Sequence, residues 1–358
     1  MRLLTNMLRE QSSDVNNSSP PPHSRAAFGP SGLLTPPEVS QYHRVMKYSG
    51  NASLAPLVAH MARSLLRAVR PKQWTKNLLI YLALFFTVNE AWSFDEIGAA
   101  FSLFGRSTLA FAIFSALSGA VYLINDIFDA EQDRRHPTKR LRPIASGALP
   151  KAIAGAAAAV LIVSGLASGF LLQPEFGATS LAYVGTMLAY TLVLKRMILL
   201  DVFAISAGFV LRAVAGAAVL QVPISPWLYI CTGLGALLIA LAKRRAELAQ
   251  AGESAGGQRD TLERYTTTLL DQFIAVAATS VVMTYTLYTF TAPNLPANHA
   301  MMLTIPFVVH GLFRYMYLVH VKDLGENPED ILVTDLPLIV TIISWLATAA
   351  TILVVYRD

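Results

Sequence analysis

The chain has 358 residues, 54% of them hydrophobic and 14% charged, with a mean hydropathy of +0.48. Soluble domains carry about a quarter charged residues, so these values exclude an ordinary water-soluble fold and point to a membrane-embedded one. The formal net charge is +5, but its cations lie in short segments between apolar runs, which fits membrane topology and argues against a nucleic-acid partner.

Residues 1–60 are rich in Ser, Pro, Asn and Gly, with SSPPPHS and LLTPPE breaking any periodicity, and are predicted to be a disordered extension ahead of a membrane domain over 61–358. Nine apolar runs follow, at 73–88, 107–127, 152–172, 178–194, 198–220, 226–242, 267–292, 300–319 and 336–356. Most reach the roughly 17 to 25 residues with which an α-helix crosses about 30 Å of hydrocarbon while satisfying its own backbone. The first run is short for that purpose. Lys and Arg gather at alternate ends of the runs, in Arg63/Arg67/Arg70/Lys72/Lys76, Arg134 to Lys151, Lys195/Arg196, Lys243/Arg244/Arg245 to Arg264, and Lys322; Arg106 and Arg357 fall on the other side. The predicted fold is therefore all-α with nine transmembrane helices, its N-terminus in the cytosol and its C-terminus outside. Cys231 is the single cysteine, so no internal disulfide can form.

The second run ends in YLINDIFDAEQDRRHPTKRLRPIASGALP. Asp126, Asp129 and Asp133 differ by three, four and seven, so they line one helix face, and Asn125 stands four before Asp129 on a neighbouring edge. Three carboxylates on one stripe at the membrane boundary repel each other unless a cation neutralises them. A set of oxygen donors without His or Cys favours a hard ion such as Mg²⁺. Arg134, Arg135, Lys139, Arg140 and Arg142 follow directly, and Mg²⁺ with cations together reads as a diphosphate site. The competing reading is that these acids and bases only pair with one another at a solvated helix end.

Further charges lie at the same depth. In RPKQWTKN, Lys72 and Lys76 flank an interfacial Trp74 and suit either a membrane anchor or a lipid phosphate. Asp201 opens the fifth run, and Arg212 lies eleven residues further, about 16 Å along the helix. Arg212 suits either an ion pair with an acid on a neighbouring helix or a substrate phosphate, whereas Arg314 reads as structural. The basic connector between the sixth and seventh runs, with a Gly-Glu-Ser-Ala-Gly-Gly stretch, is long enough for a lid that ends at Arg264 and Tyr265. The acidic segment HVKDLGENPEDILVTD receives no role.

RPKQWTKN, NDIFDAEQDRRHPTKRLRPIASG and LKRMILLDVFAISAGFVLRAVAG together resemble the UbiA superfamily of intramembrane prenyltransferases, from about residue 63 onward. The resemblance implies nine helices around a central cavity open to lipid, with Mg²⁺ and a diphosphate at the cytosolic end. Ordinary members carry a second D-x-x-x-D motif; here DVFAIS keeps Asp201 but has Ile205 and Ser206 where another acid would stand. HPTKRLRPIASG, LLDVFAISAGFVLRAVAG and RYMYLVHVKDLGENPEDILVTD are similar to the branch that moves 5-phosphoribose from phosphoribosyl pyrophosphate (PRPP) to polyprenyl (decaprenyl) phosphate, for cell-wall arabinan. That resemblance implies a multi-pass enzyme of the cell membrane. Asp126, Asp129 and Asp133, with Asn125, then position Mg²⁺ on pyrophosphate, and Lys139, Arg140 and Arg142 hold PRPP phosphates. Lys72 and Lys76, with Arg212, face the acceptor phosphate, Asp201 serves a ribose hydroxyl or a second Mg²⁺, and Lys195, Arg264 and Tyr265 complete the substrate contacts. Two other readings stand beside this one: transfer of a prenyl group from a prenyl diphosphate to an aromatic acceptor, and a polyprenyl-phosphate carrier. A carrier calls for polar groups at the midplane, whereas these gather at one end.

Overall fold

The computed structural model describes residues 55–356 apart from 94, 224, 252–263, 293–294, 323, 326–329 and 332–333. The predicted N-terminal extension thus lies almost wholly outside the described residues, and so does most of the predicted lid. The extension's expected boundary moves, because residues 55–60 already belong to a helix, α1 (Ala55–Ala68). Its Ser64 and Ala68 are buried and pack toward the second run, while Arg63, Leu66 and Arg67 are exposed.

The first apolar run departs from the predicted α-helix. Arg70 turns left-handed (φ 53°), Pro71 follows, and the chain winds as a 3₁₀ helix over Pro71–Tyr81 before a short α2 (Leu82–Phe86). Pro71 removes one backbone donor at the start, where it is least missed. A 3₁₀ helix rises about 2.0 Å per residue against about 1.5 Å for an α-helix, so 3₁₀ segment and α2 together extend about 30 Å. The run that seemed too short is long enough because it is wound more tightly.

Seven helices among the described residues are long and apolar enough to cross a membrane. These are α3 (Ile97–Arg135), α4 (Lys151–Leu172), α6 (Leu200–Leu220), α7 (Pro226–Ala251), α8 (Thr267–Thr291), α9 (Ile305–Val321) with its 3₁₀ lead-in (Ala300–Thr304), and α10 (Leu336–Tyr356). The nine-helix expectation is short by two: the 3₁₀ segment, and α5 (Pro174–Leu192), whose apolar character is diluted by Pro174, Glu175, Tyr183, Tyr190 and three threonines. Consecutive helices pack side by side from α3 through α8, and α3 and α6 also meet each other and the 3₁₀ segment.

The core divides into apolar clusters. One joins the 3₁₀ segment, α3, α5 and α6 around Ile80, Phe114, Leu117, Phe176 and Val219; another joins α6 to α10 around Leu238, Leu241, Leu270, Ile274 and Leu318. A third brings the first run against the last: Phe85 and Phe86 meet Trp345, and Asn89 Nδ2 donates to Val354 O at 3.2 Å. Gly216 permits the close approach of α6 to the 3₁₀ segment, since a Cβ there would stand 2.2 Å from Ile80 O. A small pocket is lined by Ala83, Phe86, Thr87, Pro223, Ser225, Leu228 and Tyr288. It lies past the C-terminal end of α6, opposite the end bearing Asp201, and touches none of the predicted site residues.

Candidate active site

The last turns of α3 carry Asn125, Asp126, Asp129 and Asp133. Asp126 and Asp133, two helical turns apart, are buried, and Asp129 is more open. Cations from three other segments offset their mutual repulsion. Arg70, held at its left-handed turn and lying 4.9 Å over the Tyr122 ring, donates Nη2 to Asp126 Oδ1 at 2.5 Å. Arg142 donates Nη1 to Asp133 Oδ2 at 2.7 Å and to Asp126 Oδ1 at 3.3 Å. Lys195, in the turn Leu194–Arg196, pairs with one oxygen of Asp129, and the other accepts from Asn125 Nδ2 at 3.0 Å.

As the side chains stand, no group of three His, Cys, Asp or Glu among the described residues, the predicted metal-ligand set Asn125, Asp126, Asp129 and Asp133 included, is gathered closely enough to hold a metal ion. Guanidinium and ammonium groups occupy the carboxylates instead, as any nearby cation would. The donor set still fits a hard ion, being three carboxylates and an amide with oxygen alone to offer. The side chains of Arg70 and Arg142 are each 26% exposed, so both border solvent while they hold the acids.

Of the predicted PRPP-binding trio, Arg142 reaches the acid row through Asp126 and Asp133. Arg140 is exposed and Lys139 half-buried on the adjacent turn, which the His136 ring organises by facing the amides of Thr138 and Lys139 at 3.3 and 3.4 Å. Arg134 turns away, doubly bonded to Glu131 at 2.8 and 2.9 Å. Lys72 is exposed and Lys76 half-buried, both on the 3₁₀ segment that begins beside Arg70.

Asp201 is fully buried at the start of α6, outside the acid row. Its Oδ2 accepts from Arg244 Nε at 2.7 Å and its Oδ1 from the Tyr265 hydroxyl at 3.1 Å. Tyr265, expected to meet substrate, is itself buried, which pushes its hydroxyl up to about 12, while Arg264 beside it is exposed. Ile205 packs in an apolar cluster and Ser206 donates to Gly233 O at 2.6 Å, so fold contacts occupy the place of a second acid.

Of the two readings of Arg212, the ion pair with a neighbouring acid is overturned. Arg212 is buried, and its Nε donates to Asn77 Oδ1 at 2.8 Å, Nη1 to Gly208 O at 2.7 Å and Nη2 to the Tyr183 hydroxyl at 2.9 Å. The rings of Tyr183, Phe209 and Phe114 lie 4.7, 5.3 and 5.9 Å from the guanidinium carbon. Arg314 is structural as read, bonded to Asp335 at 2.8 and 3.0 Å. Asp323, Glu326 and Glu329 of the acidic segment lie outside the described residues.

Arg70, Arg244, Asn77 and Tyr183 were not among the predicted site residues. Arg70 and Arg244 had appeared only as topology charges; the RP step at 70–71 was the local sign that Arg70 sits at a forced turn.

The chain matches the sequence pattern described as "UbiA prenyltransferase family" over residues 78–333. It is 34% identical over 290 residues to a Mycobacterium tuberculosis protein named decaprenyl-phosphate phosphoribosyltransferase, covering 81% of this chain and 94% of that one. A Corynebacterium glutamicum protein of the same name is 32% identical over 296 residues, covering 80% and 85%. Among solved structures, a UbiA homolog from Archaeoglobus fulgidus bound to GPP and Mg²⁺ superposes with a TM-score of 0.62 at 16% identity, over 82% of this chain and all of that one.

Proposed function

The chain belongs to the UbiA prenyltransferase family, and on that premise we propose that it transfers 5-phosphoribose from PRPP to decaprenyl phosphate or a related polyprenyl phosphate, releasing pyrophosphate. The relatives' shared name supports the choice of substrates. The observation that carries the chemistry is the acid row closed by the partly exposed cations Arg70 and Arg142. Such a row is self-neutralised when empty. When a polyphosphate enters, Arg70 and Arg142 turn to its oxygens and free the carboxylates.

Asp126, Asp129 and Asp133, with Asn125, would hold Mg²⁺, which supplies charge neutralisation for the departing pyrophosphate. Arg142 and Lys139 face the PRPP phosphates from the turn after α3, and Arg140 from its exposed side. Lys72 and Lys76 receive the acceptor phosphate at the membrane rim, beside Arg70. The new bond joins an acceptor phosphate oxygen to the anomeric carbon as the bond from that carbon to pyrophosphate breaks. The acceptor is already anionic near pH 7, so no general base is needed; alignment of the two anions is the protein's main contribution.

In this reading the 3₁₀ segment and α5 join the seven apolar helices as crossings, giving nine in the cell membrane, with the N-terminus and the acid row on the cytosolic side. The fold contacts of Ile205 and Ser206 disfavour the alternative of a prenyl diphosphate donor that uses a second acidic pair.

The test is transfer of ribose-labelled PRPP to decaprenyl phosphate by the purified protein, read as lipid-extractable label. Label that appears with Mg²⁺ and vanishes with EDTA supports the reading. No label from folded protein with Mg²⁺ present, but turnover of prenyl diphosphate with an aromatic acceptor, overturns it.

A further inference from the structure

We propose that Asp201, Arg244 and Tyr265 form a buried clasp that positions Lys195 on the acid row, Asp201 acting as a positioning residue and not as a ligand of metal or ribose. The inference rests on the phosphoribosyl-transfer reading for its kinetic test, but its geometry is independent of that reading.

The contacts run as one chain. Arg244 of α7 is 2% exposed and is bonded to Asp201 and, one turn on, to Glu247. Asp201 accepts from the Tyr265 hydroxyl, and that hydroxyl in turn accepts the backbone N–H of Leu199 at 2.8 Å. Leu199 has φ 66° and ψ −43°, a conformation that a side-chain-bearing residue adopts only when held there. It closes the loop that begins at the Leu194–Arg196 turn, whose Lys195 pairs with Asp129. Tyr265 thus fixes one end of the loop and Asp129 receives the other.

Asp201 and Asp126 are equally buried, but their partners differ. The guanidiniums on Asp126 are each 26% exposed, at the edge of solvent. Those around Asp201 are not: Arg244 is enclosed and doubly tied, and Tyr265 is 3% exposed. No second oxygen donor stands one turn away, because Ile205 is apolar and Ser206 is engaged with Gly233 O. A metal at Asp201 would have to displace a buried guanidinium that has no solvent to enter, which its two acidic partners oppose.

The experiment uses the full chain in lipid nanodiscs. Tyr265→Phe keeps the ring and removes the hydroxyl that holds Leu199. Hydrogen exchange in peptides spanning 194–200 should quicken about tenfold, the scale of one lost hydrogen bond. KM for PRPP should rise by about the same factor with kcat within twofold, the Mg²⁺ concentration for half-activation should not move, and the KM effect should disappear in a Lys195→Ala background. Unchanged exchange at 194–200 overturns the clasp, whatever the enzyme does. A KM effect that persists in Lys195→Ala overturns action through Lys195. Asp201→Asn that raises the Mg²⁺ requirement several-fold overturns the positioning role. A wild-type protein that moves no phosphoribose, yet exchanges faster on Tyr265→Phe, keeps the clasp and sinks the function proposed above.

Discussion

Replacing Arg142 by Met separates the two tasks assigned to that side chain. Arg142 donates to Asp133 at 2.7 Å and to Asp126 at 3.3 Å, and the side chains of these acids are 5% and 2% exposed. Removing one partner of a fully buried ion pair costs about 3–5 kcal/mol, because the other charge is left without compensation. Arg142 is 26% exposed and Asp126 keeps Arg70, so solvent and the remaining pair screen part of the loss, and about 2–3 kcal/mol is expected. Thermal unfolding of the purified protein in one detergent reads the difference. Arg142→Met combined with Asp133→Asn should recover most of it, since neither charge then remains. Mg²⁺ should stabilise Arg142→Met more than wild type, because the ion no longer competes with a guanidinium; a ligand at a hundred times its Kd contributes about 2.7 kcal/mol. A single variant as stable as wild type, or a Mg²⁺ effect equal in both, refutes the ion-pair account of the acid row.

Asp126→Asn should lower turnover by at least about a hundredfold, the scale of losing one preorganised charge at a reacting centre, while the membrane fold persists by circular dichroism; full activity would remove Asp126 from the ligand set. Gly216→Val should destabilise strongly, since even its Cβ would stand 2.2 Å from Ile80 O and backbone has to move; an unchanged melting point would mean that α6 and the 3₁₀ segment do not touch. Arg314 holds the carboxyl of Asp335 below the usual carboxylate range. The stability from that pair is therefore complete above the ordinary carboxyl pKa near 3.9 and is lost as pH falls through the lower folded value. Asn still accepts the α10 cap bond that Asp335 takes from the Leu338 amide at 3.0 Å, so Asp335→Asn keeps the cap while removing the charge and one of the two acceptors for Arg314. Its melting point should trail wild type at pH 5 to 7 and converge with it below about pH 4; a constant gap down to pH 2 would contradict the pairing.

The helices and the acid row were legible because both rest on short-range rules. Hydropathy runs of some twenty residues marked most of the crossings, and the spacing of 126, 129 and 133 put their side chains on one stripe before any packing was known. The partners were not legible, because they arrive from far along the chain. Arg70 meets Asp126 across 56 positions and Lys195 meets Asp129 across 66. One of the two readings of Arg212 gave it an acid, since a buried charge ordinarily finds one. Its actual partners, an amide, a carbonyl, a phenol and three ring faces, carry no formal charge for a sequence reading to match. The 3₁₀ winding of 71–81 escaped for another reason: nothing in its composition beyond Pro71 distinguishes a 3₁₀ from an α-helix, and its close packing against α6 at Gly216 comes from far along the chain.

The setting of Arg212 bears on how the protein is made. An arginine at the centre of a helix raises the free energy of entering the bilayer by about 2.5–3.5 kcal/mol on insertion scales. Asn77, Phe114, Tyr183, Gly208 and Phe209 all precede Arg212 in the chain. During synthesis from the N-terminus, Asn77, Phe114 and Tyr183 therefore leave the ribosome well before Arg212, and α6, which brings Gly208 and Phe209 with it, enters a membrane already holding those three. The order of the segments along the gene is thus itself part of what allows a lone cation to be built into the lipid-embedded core.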